Sequence, residues 1–456
     1  MNKISTSRSC SFGTDGIRAH ADGFPFTPKA LNALGVAIAR WALDKYNKKT
    51  PGVLIGHDTR LSCPRIKNDL IAGLAQFPLD IVDGQVLPTP AVYQLIRDNS
   101  RFDFGIVISA SHNPYYDNGI KLFDAKMTKI SKEDEGVIEA YFEKMHNQEL
   151  LLGSSPRGNA LDVMWREAPK IYQDKVASYF PPNFLAGIKI VLDCANGATA
   201  KIAPALFKQL GAEVIAIANN PTGTNINEKC GSTHPEVLQA RVVQEHAHIG
   251  FAFDGDGDRL MVVSKSGILK NGDDVLFLLL SLAEYAATKT IVGTVMSNQG
   301  LEQTLVQVNK KLLRTQVGDK YVAQALVANN LPLGGEVSGH TIIQNYMPTS
   351  DGIFVALKVL QAVIATNNWQ LKTFDAYPQV LLNIPIAQKK DLSLPPLSII
   401  ITTYEKKIPA GRILVRYSGT EKILRVMTEA QSYELAHSVA QELAQELQQA
   451  LVVNND

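Results

Sequence analysis

The sequence predicts an α/β protein made of three similar mixed α/β domains and a smaller α+β domain at the C-terminal end. A chain of 456 residues is too long for one hydrophobic core, and about 150 residues per domain gives about three domains. A strand, loop, helix and strand follow one another in three separate places, which is typical of layered α/β domains. From Leu371 onward the pattern changes to short strands and one long amphipathic helix.

The three α/β units lie far apart in the chain and share no sequence identity strong enough to prove a repeat. Their predicted strands and helices are 53–56, 64–74 and 79–82, then 188–192, 199–210 and 213–218, then 291–295 with a helix from Leu301. The C-terminal part has predicted strands at 380–384, 412–416 and 424–429, and a helix with one apolar face formed by Leu435, Val439, Leu443, Leu447 and Leu451. Candidate linkers lie at 153–158 and 366–370, and we expect domains at 1–156, 157–252, 253–370 and 371–456.

The composition narrows the class of protein. With 45% hydrophobic residues, 20% charged residues and a net charge of +1, the chain is an ordinary globular protein and not a general binder of nucleic acid or membrane surfaces. Residues 1–12 contain no apolar signal segment, and the apolar run 275–283 is far shorter than the ~20 residues of a membrane span, so we expect a buried helix there. Four dispersed cysteines without a C-x-x-C pair indicate reduced thiols and a cytoplasmic location.

The stretch 109–118, Ser-Ala-Ser-His-Asn-Pro-Tyr-Tyr-Asp-Asn, directly follows the apolar run 104–108, which predicts a short buried strand. Open α/β sheets bind their ligands at the carboxyl ends of strands, where this loop would place Ser111. Two interpretations remain open on this stretch alone, a reactive serine and an ordinary polar turn.

A second motif, Asp254-Gly-Asp-Gly-Asp-Arg259, follows the apolar run 249–253. In an extended chain alternate residues face the same way, so Asp254, Asp256 and Asp258 are expected to converge on one hard cation such as Mg²⁺ or Ca²⁺, while the glycines let the backbone curl around it. An EF-hand loop does not fit, because Arg259 takes the place of its glycine and Lys265 the place of its last glutamate. A solvated acidic turn remains an alternative, although three close carboxylates repel one another unless a cation neutralises them.

Three further loops carry candidate binding residues. The glycine-rich loop 12–18 ends in Arg18, which is either a phosphate contact or a solvated residue. The loop 335–340, Gly-Glu-Val-Ser-Gly-His, has three hydrogen-bonding side chains suited to sugar hydroxyls. The segment 411–425 combines two arginines with Ser, Gly and Thr, which predicts either an anion site or a plain hairpin turn with surface arginines.

Four motifs together resemble those of the α-D-phosphohexomutases. In chain order they are Ser-His-Asn-Pro, Asp-Gly-Asp-Gly-Asp-Arg, Gly-Glu-x-Ser-Gly-His and Arg-x-Ser-Gly-Thr-Glu. Further motifs resemble those of the bacterial members that act on glucosamine phosphates. Among them are Phe-Gly-Thr-Asp-Gly-Ile-Arg at 12–18 and Asp-Cys-Ala-Asn-Gly-Ala at 193–198. The resemblance implies four domains around a central cleft and the interconversion of glucosamine 6-phosphate and glucosamine 1-phosphate, which feeds UDP-N-acetylglucosamine synthesis. A phosphoglucomutase or phosphomannomutase is the alternative within the same family.

The resemblance also implies roles for individual residues. Ser111 would carry the phosphate, and one Mg²⁺ would be held by a phosphoserine oxygen with Asp254, Asp256 and Asp258. Catalysis would further involve Lys121, Arg18, Arg259, His112 and His340. Substrate would be bound by Glu336, Ser338, Lys320, Arg416, Ser418, Gly419, Thr420 and Arg425. A glucosamine or glucose 1,6-bisphosphate would activate the enzyme, whose partner is a phosphosugar, without nucleic acid or membrane, as a monomer or homodimer.

The sequence departs from the family pattern at several binding positions. Val337, Tyr417 and Lys320 stand where other residues are more usual, and they could alter sugar choice. Two other chemistries are disfavoured. A serine hydrolase would need a G-x-S-x-G turn around Ser111, and a non-catalytic sugar-phosphate sensor would be expected to have lost the serine or the aspartates.

Overall fold

The computed structural model describes residues 10–13, 15–126, 129–147, 163–418 and 422–452. These residues form two compact units. The larger unit extends to Ala286 and includes Gly318–Lys372, and the smaller unit combines Ala287–Val317 with the chain from Thr373 onward. No helix in the described part of the chain has both the length and the apolar character needed to cross a membrane. All four cysteines are buried free thiols, as predicted.

The larger unit begins with a six-stranded mixed sheet. Its strands are β1 (Ile17–His20), β2 (Gly52–His57), β3 (Asp80–Val86), β4 (Phe104–Ile108), β5 (Asp117–Asp124) and β6 (Val163–Met164). The helices beside them in the chain are α1 (Pro28–Tyr46), α2 (Cys63–Leu74), α3 (Thr89–Asp98) and α4 (Lys132–Asn147). In the order β1-β5-β4-β2-β3-β6, strands β4, β2, β3 and β6 are parallel, and β5 is antiparallel to both neighbours. His57 pairs with Ile108, so β2 and β4 end level and the loops that follow them lie side by side.

A five-stranded mixed sheet follows in the same unit. It comprises β7 (Lys189–Asp193), β8 (Glu213–Ile217), β9 (Ile249–Phe253), β10 (Leu260–Ser264) and β11 (Leu269–Lys270), with helices α5 (Ala168–Ala177), α6 (Ile202–Gln209) and α7 (Glu236–Gln244). In the order β11-β10-β9-β7-β8, the last three strands are parallel and the first two are antiparallel to their neighbours. Strand β9 is fully buried and leads directly into the acidic motif.

The next part of the chain is divided between the two units. It contains, in order, α8 (Gly272–Leu279), β12 (Thr290–Thr294), α9 (Gln299–Gln307), β13 (Lys311–Thr315), α10 (Asp319–Ala328), β14 (Leu333–Gly335), β15 (Thr341–Ile343) and α11 (Gly352–Thr366). The parallel pair β12 and β13 belongs to the smaller unit. The antiparallel pair β14 and β15 belongs to the larger unit, and its turn contains Glu336 and Ser338. As predicted, the apolar run from Val275 forms a buried helix, α8.

The chain ends in an antiparallel sheet with two helices, within the smaller unit. The elements are β16 (Gln379–Pro385), α12 (Leu397–Glu405), β17 (Arg412–Tyr417), β18 (Ile423–Glu429) and α13 (Tyr433–Val452), and the strand order is β16-β18-β17. This arrangement matches the predicted strands and final helix. The predicted limits of the four domains stay a prediction.

Two parts of the predicted loops are strands. Arg18 lies in β1 and not in a loop, and residues 117 and 118 open β5 instead of ending the serine loop. The cause is pairing between distant segments, since Arg18 lies opposite Gly119 in the register of β1 and β5. A Cβ atom at Gly119 would lie 2.4 Å from the carbonyl oxygen of Ser109, so this close approach requires glycine.

The apolar face of α13 is confirmed over most of its length. Val439, Leu443 and Leu447 are buried, whereas Leu435 is 39% exposed. We expect Leu443→Ala to lower the free energy of unfolding of the smaller unit by about 2–5 kcal/mol, because it leaves a cavity in the core. Hydrogen exchange of the α13 amides measures this loss. Leu435→Ala is the control and should cost less than about 0.5 kcal/mol, and equal losses in both variants would contradict the prediction.

Candidate active site

Ser111 lies in a turn just after β4, where it is 1% exposed. Its φ angle is +54°, in the left-handed region that residues other than glycine seldom adopt. Such backbone conformations persist where the surroundings enforce them, and they concentrate at functional sites. The turn directs the serine hydroxyl towards the acidic motif that follows β9, and the Oγ atom donates a hydrogen bond to Asp254 Oδ2 over 2.5 Å.

The neighbours of Ser111 support its position. The Ser111 N–H donates to Ser109 Oγ at 2.9 Å, and Ser109 Oγ donates to Asp58 Oδ2 at 2.6 Å. His112 Nδ1 lies 3.3 Å from Ser111 Oγ. Burial, together with the nearby charges of Arg259 and Arg18, lowers the pKa of His112 to about 4, so the ring is neutral at physiological pH.

The sequence analysis missed Arg60, which holds the serine loop by its backbone. Its guanidinium is fully buried, pairs with Asp58 at 2.9 Å, and donates hydrogen bonds to the carbonyl oxygens of Ser111, Asn113, Pro114 and Asp117. Asn227 also donates to the Ser111 carbonyl, at 2.9 Å. The segment His-Asp-Thr-Arg at 57–60 could have indicated this role, because it follows a strand parallel to the one before Ser111.

We expect Arg60→Lys to lower turnover by about 10²-fold, because an ammonium group cannot make the same set of directed bonds and the serine loop shifts. Steady-state kinetics and thermal unfolding of the same preparation measure the effect. The control is Arg101→Lys, whose half-exposed guanidinium pairs with Asp80. If Arg60→Lys turns over as fast as this control, the loop does not depend on Arg60.

The predicted metal-ligating residues do converge. Residues 254–258 form a turn and not an extended strand, with Gly257 at φ +73° and its N–H donating to the carbonyl of Asp254 at 3.1 Å. The predicted convergence of the three carboxylates is confirmed, and the chain curls at the glycines, as predicted, instead of staying extended. One oxygen from each of Asp254, Asp256 and Asp258 lies within 4.8 Å of the others.

The three carboxylates fit a metal ion. Asp256 Oδ1 and Asp258 Oδ1 are buried and accept no hydrogen bond from the residues that the structure describes. Burial, and the charges of Asp258 and Asp256, raise the pKa of Asp254 well above its usual range. A divalent cation bound to these oxygens would remove this repulsion, and a set of three carboxylates suits a hard cation.

Cations surround the acidic cluster on the side of β5. Lys121 is buried, and its Nζ lies 2.9 Å from Asp256 Oδ2, 3.3 Å from Asp258 Oδ2 and 2.9 Å from Asp15 Oδ2. Burial lowers the pKa of Lys121, but these three carboxylates outweigh it and raise that pKa well above the usual value. Arg18 forms an ion pair with Asp15, and its Nη1 lies 3.5 Å from Asn113 Oδ1.

The loop between β14 and β15 closes the other side of the cluster. His340 Nε2 lies 3.2 Å from Asp258 Oδ2, and this carboxylate outweighs the effect of burial and raises the pKa of His340 to about 9. The backbone N–H of Arg259 donates to Asp254 Oδ1 at 3.1 Å. Glu336 Oε1 accepts a hydrogen bond from the Gly318 N–H at 2.8 Å, and Ser338 is half-buried in the same turn.

Lys320 does not contact the acidic cluster. It lies on α10 beside a cavity of about 480 Å³ that is also lined by Lys121, Lys129 and Glu135. The structure therefore brings together Ser111, the three aspartates and the other predicted residues of the larger unit, and Lys320 lines a cavity that Lys121 also lines.

The remaining predicted residues belong to the smaller unit. Arg416 and Arg425 are direct partners in the register of β17 and β18, and burial and the charge of Arg425 lower the pKa of Arg416. The carbonyl oxygen of Ser418 accepts a hydrogen bond from Lys389 at 2.9 Å. Two neighbouring guanidinium groups suit the binding of an anion such as phosphate. Gly419 and Thr420 lie outside the described residues.

Comparison with known proteins identifies the family. Models of the phosphoglucomutase/phosphomannomutase family match the chain in four places, with α/β/α domains I, II and III at residues 9–149, 170–267 and 271–378 and the C-terminal domain at 378–446. The chain belongs to this family. It is therefore an enzyme, a phosphotransferase of the isomerase class, and the predicted fold class of three similar α/β domains and a C-terminal domain is confirmed.

One curated relative supports the same family, and two solved structures share the fold. The phosphoglucosamine mutase of Haemophilus influenzae strain PittEE is 43% identical over 443 residues, which cover 95% of this chain and 97% of the relative. Among solved structures, a phosphoglucomutase/phosphomannomutase family protein from Burkholderia thailandensis superposes with a TM-score of 0.77 at 23% identity, covering 98% and 99% of the two chains. The N-acetylphosphoglucosamine mutase of Aspergillus fumigatus, in complex with GlcNAc-6P and magnesium, has a TM-score of 0.66 at 18% identity, covering 97% and 96%.

Proposed function

We propose that this phosphohexomutase interconverts glucosamine 6-phosphate and glucosamine 1-phosphate through a phosphoserine at Ser111. The observation that carries the proposal is the contact of Ser111 Oγ with Asp254, within a cluster of three carboxylates that has two buried oxygens available for a metal ion. The name of the Haemophilus influenzae relative favours glucosamine phosphates over the alternative of glucose or mannose phosphates.

We propose Mg²⁺ as the metal, held by Asp254, Asp256, Asp258 and an oxygen of the phosphorylated serine. The magnesium in the Aspergillus fumigatus relative supports this choice. When bound, the ion supplies positive charge that neutralises the phosphoryl oxygens as the phosphate moves between serine and sugar.

The residues of the chain then position the sugar and balance the charge. Lys121 is protonated in this environment, so it is suited to stabilise the charge of the transferring phosphoryl group. Arg18, Arg259, His112 and His340 surround the same point. Glu336 and Ser338 lie in the turn that we propose as the grip for the sugar hydroxyls.

We propose that the substrate's second phosphate is bound by Arg416, Ser418, Gly419, Thr420 and Arg425. The two arginines face each other across the sheet, which supports this, because guanidinium groups bind phosphate oxygens through paired N–H donors. Such a clamp accepts either phosphate of a 1,6-bisphosphate, so the intermediate can turn over without being lost. Glucosamine or glucose 1,6-bisphosphate is accordingly the proposed activator. We also propose a cytoplasmic monomer or homodimer with domains at 1–156, 157–252, 253–370 and 371–456.

The test is a product assay with purified protein, Mg²⁺ and catalytic glucosamine 1,6-bisphosphate. Glucosamine 6-phosphate, glucose 6-phosphate and mannose 6-phosphate are compared by kcat/KM, and we expect the highest value for glucosamine 6-phosphate. A higher value for glucose or mannose phosphate would favour the alternative activity. Release of inorganic phosphate without formation of an isomer would overturn the proposal.

A further inference from the structure

Lys129 bridges two carboxylates beside the active site and has none of the roles given above. It follows β5 and pairs through its backbone with Phe123. Its Nζ lies 2.5 Å from Asp15 Oδ1 and 2.8 Å from Asp319 Oδ2, and the lysine side chain is 21% exposed. Fully exposed ion pairs contribute little to stability, but this group is largely screened from solvent and has two acidic partners.

The first partner, Asp15, is shared with catalytic cations. Lys129 binds its Oδ1 atom, whereas Lys121 and Arg18 bind its Oδ2 atom. With both oxygens engaged, the Asp15 carboxylate cannot rotate without breaking an ion pair. Lys129 therefore fixes the carboxylate that holds Lys121 Nζ in its place beside Asp256.

The second partner, Asp319, is the first residue of α10. The residue before it, Gly318, donates its N–H to Glu336 Oε1 at 2.8 Å. Lys129 thus connects the carboxylate that orients Lys121 to the chain segment that orients Glu336. The Lys129 ammonium group is therefore connected to Lys121, at the phosphoryl end of the proposed site, and to Glu336, at its sugar end.

We propose that Lys129 is a positioning residue that sets Lys121 for phosphoryl transfer by fixing Asp15, an inference that rests on the proposed function. Loss of the ammonium leaves Asp15 Oδ1 and Asp319 Oδ2 without this partner. Asp15 then turns, and Lys121 moves relative to the transferring group. Because misplacement by about 1 Å can cost about 10²-fold in rate, the effect falls on kcat more than on KM.

The experiment compares Lys129→Met, Lys129→Arg and the control Lys132→Met in the full chain with Mg²⁺ and glucosamine 1,6-bisphosphate. Lys132 lines the same cavity, but its side chain is exposed. We expect Lys129→Met to lower kcat by about 10²-fold with KM within about twofold of wild type. Lys129→Arg should restore most of the rate, and Lys132→Met should behave as wild type.

A double-variant cycle with Asp15→Asn tests the route of the effect. If Lys129 acts through Asp15, the variant carrying both Asp15→Asn and Lys129→Met is no slower than Asp15→Asn alone. The inference would be overturned if the loss of kcat in the double variant equalled the product of the losses in the two single variants. It would also be overturned if Lys129→Met were as fast as Lys132→Met. If thermal unfolding shows that Lys129→Met does not fold, Lys129→Gln takes its place. An inactive wild type would overturn the proposed function as well, so the two failures are distinguishable.

Discussion

Ser111→Ala should abolish mutase turnover, with a loss of at least about 10³-fold, since removal of a covalent nucleophile costs this much or more in other enzymes. The methyl group of alanine cannot accept the phosphate from a 1,6-bisphosphate or pass it to the sugar. Intact-protein mass measures the first step directly. Wild type should gain one phosphate on incubation with glucosamine 1,6-bisphosphate, and the variant should gain none.

The matched control is Ser178→Ala, at an exposed serine whose hydroxyl donates to the carbonyl oxygen of Lys175. It should gain the phosphate and turn over as wild type does. A Ser111→Ala protein that retains activity, or that still gains a phosphate, would assign the phosphate to another residue. The fold should survive the change, because the backbone of this loop is held by Arg60 and Asn227.

Asp254→Asn should weaken metal binding and slow turnover together. The change removes one of three negative charges, and we expect the affinity for Mg²⁺ to fall by at least about 10-fold, because even changes outside the ligand shell often cost about 10–100-fold. The rate should fall by about 10²–10³-fold, as it does when one stabilising group is removed from a transition state. Calorimetric titration of Mg²⁺ into the dephosphorylated protein measures the binding independently of activity.

The control is Asp174→Asn, a half-exposed carboxylate that pairs with Lys170. It should bind Mg²⁺ and turn over as wild type does. Removal of metal from wild type with a chelator should also stop turnover, and added Mg²⁺ should restore it. Unchanged Mg²⁺ affinity in Asp254→Asn would show that the ion binds elsewhere.

Much of the fold could be predicted because its signals are local. The buried strands β4 and β9 have the limits that their apolar runs indicate, and the spacing of Val439, Leu443 and Leu447 predicts the buried face of α13. Local signals were insufficient where distant segments pair. The sequence around Arg18 predicts a loop, but this segment forms strand β1 because it pairs with β5.

The candidate site shows the same division. Ser111 and the three aspartates could be found because their side chains stand in short motifs that follow buried strands. The exact turn could not, since the sequence allows the chain to curl at its glycines but does not show that Gly257 is the one in the left-handed region. Arg60 was missed because it binds the backbone of another loop, and its own segment, 57–60, indicates this only once β2 is placed beside β4.

The sequence by itself determined the chemical groups of this protein: a serine, three carboxylates, the polar loop 335–340 and a pair of arginines, each contained in a few neighbouring residues. Only the tertiary structure decided how charges from distant segments compensate one another. Lys129 and Asp319 are 190 positions apart, yet their side chains form an ion pair. The physical reason is that the energy of an ion pair depends on distance and burial in space, which the strand order and register establish and which local sequence does not encode.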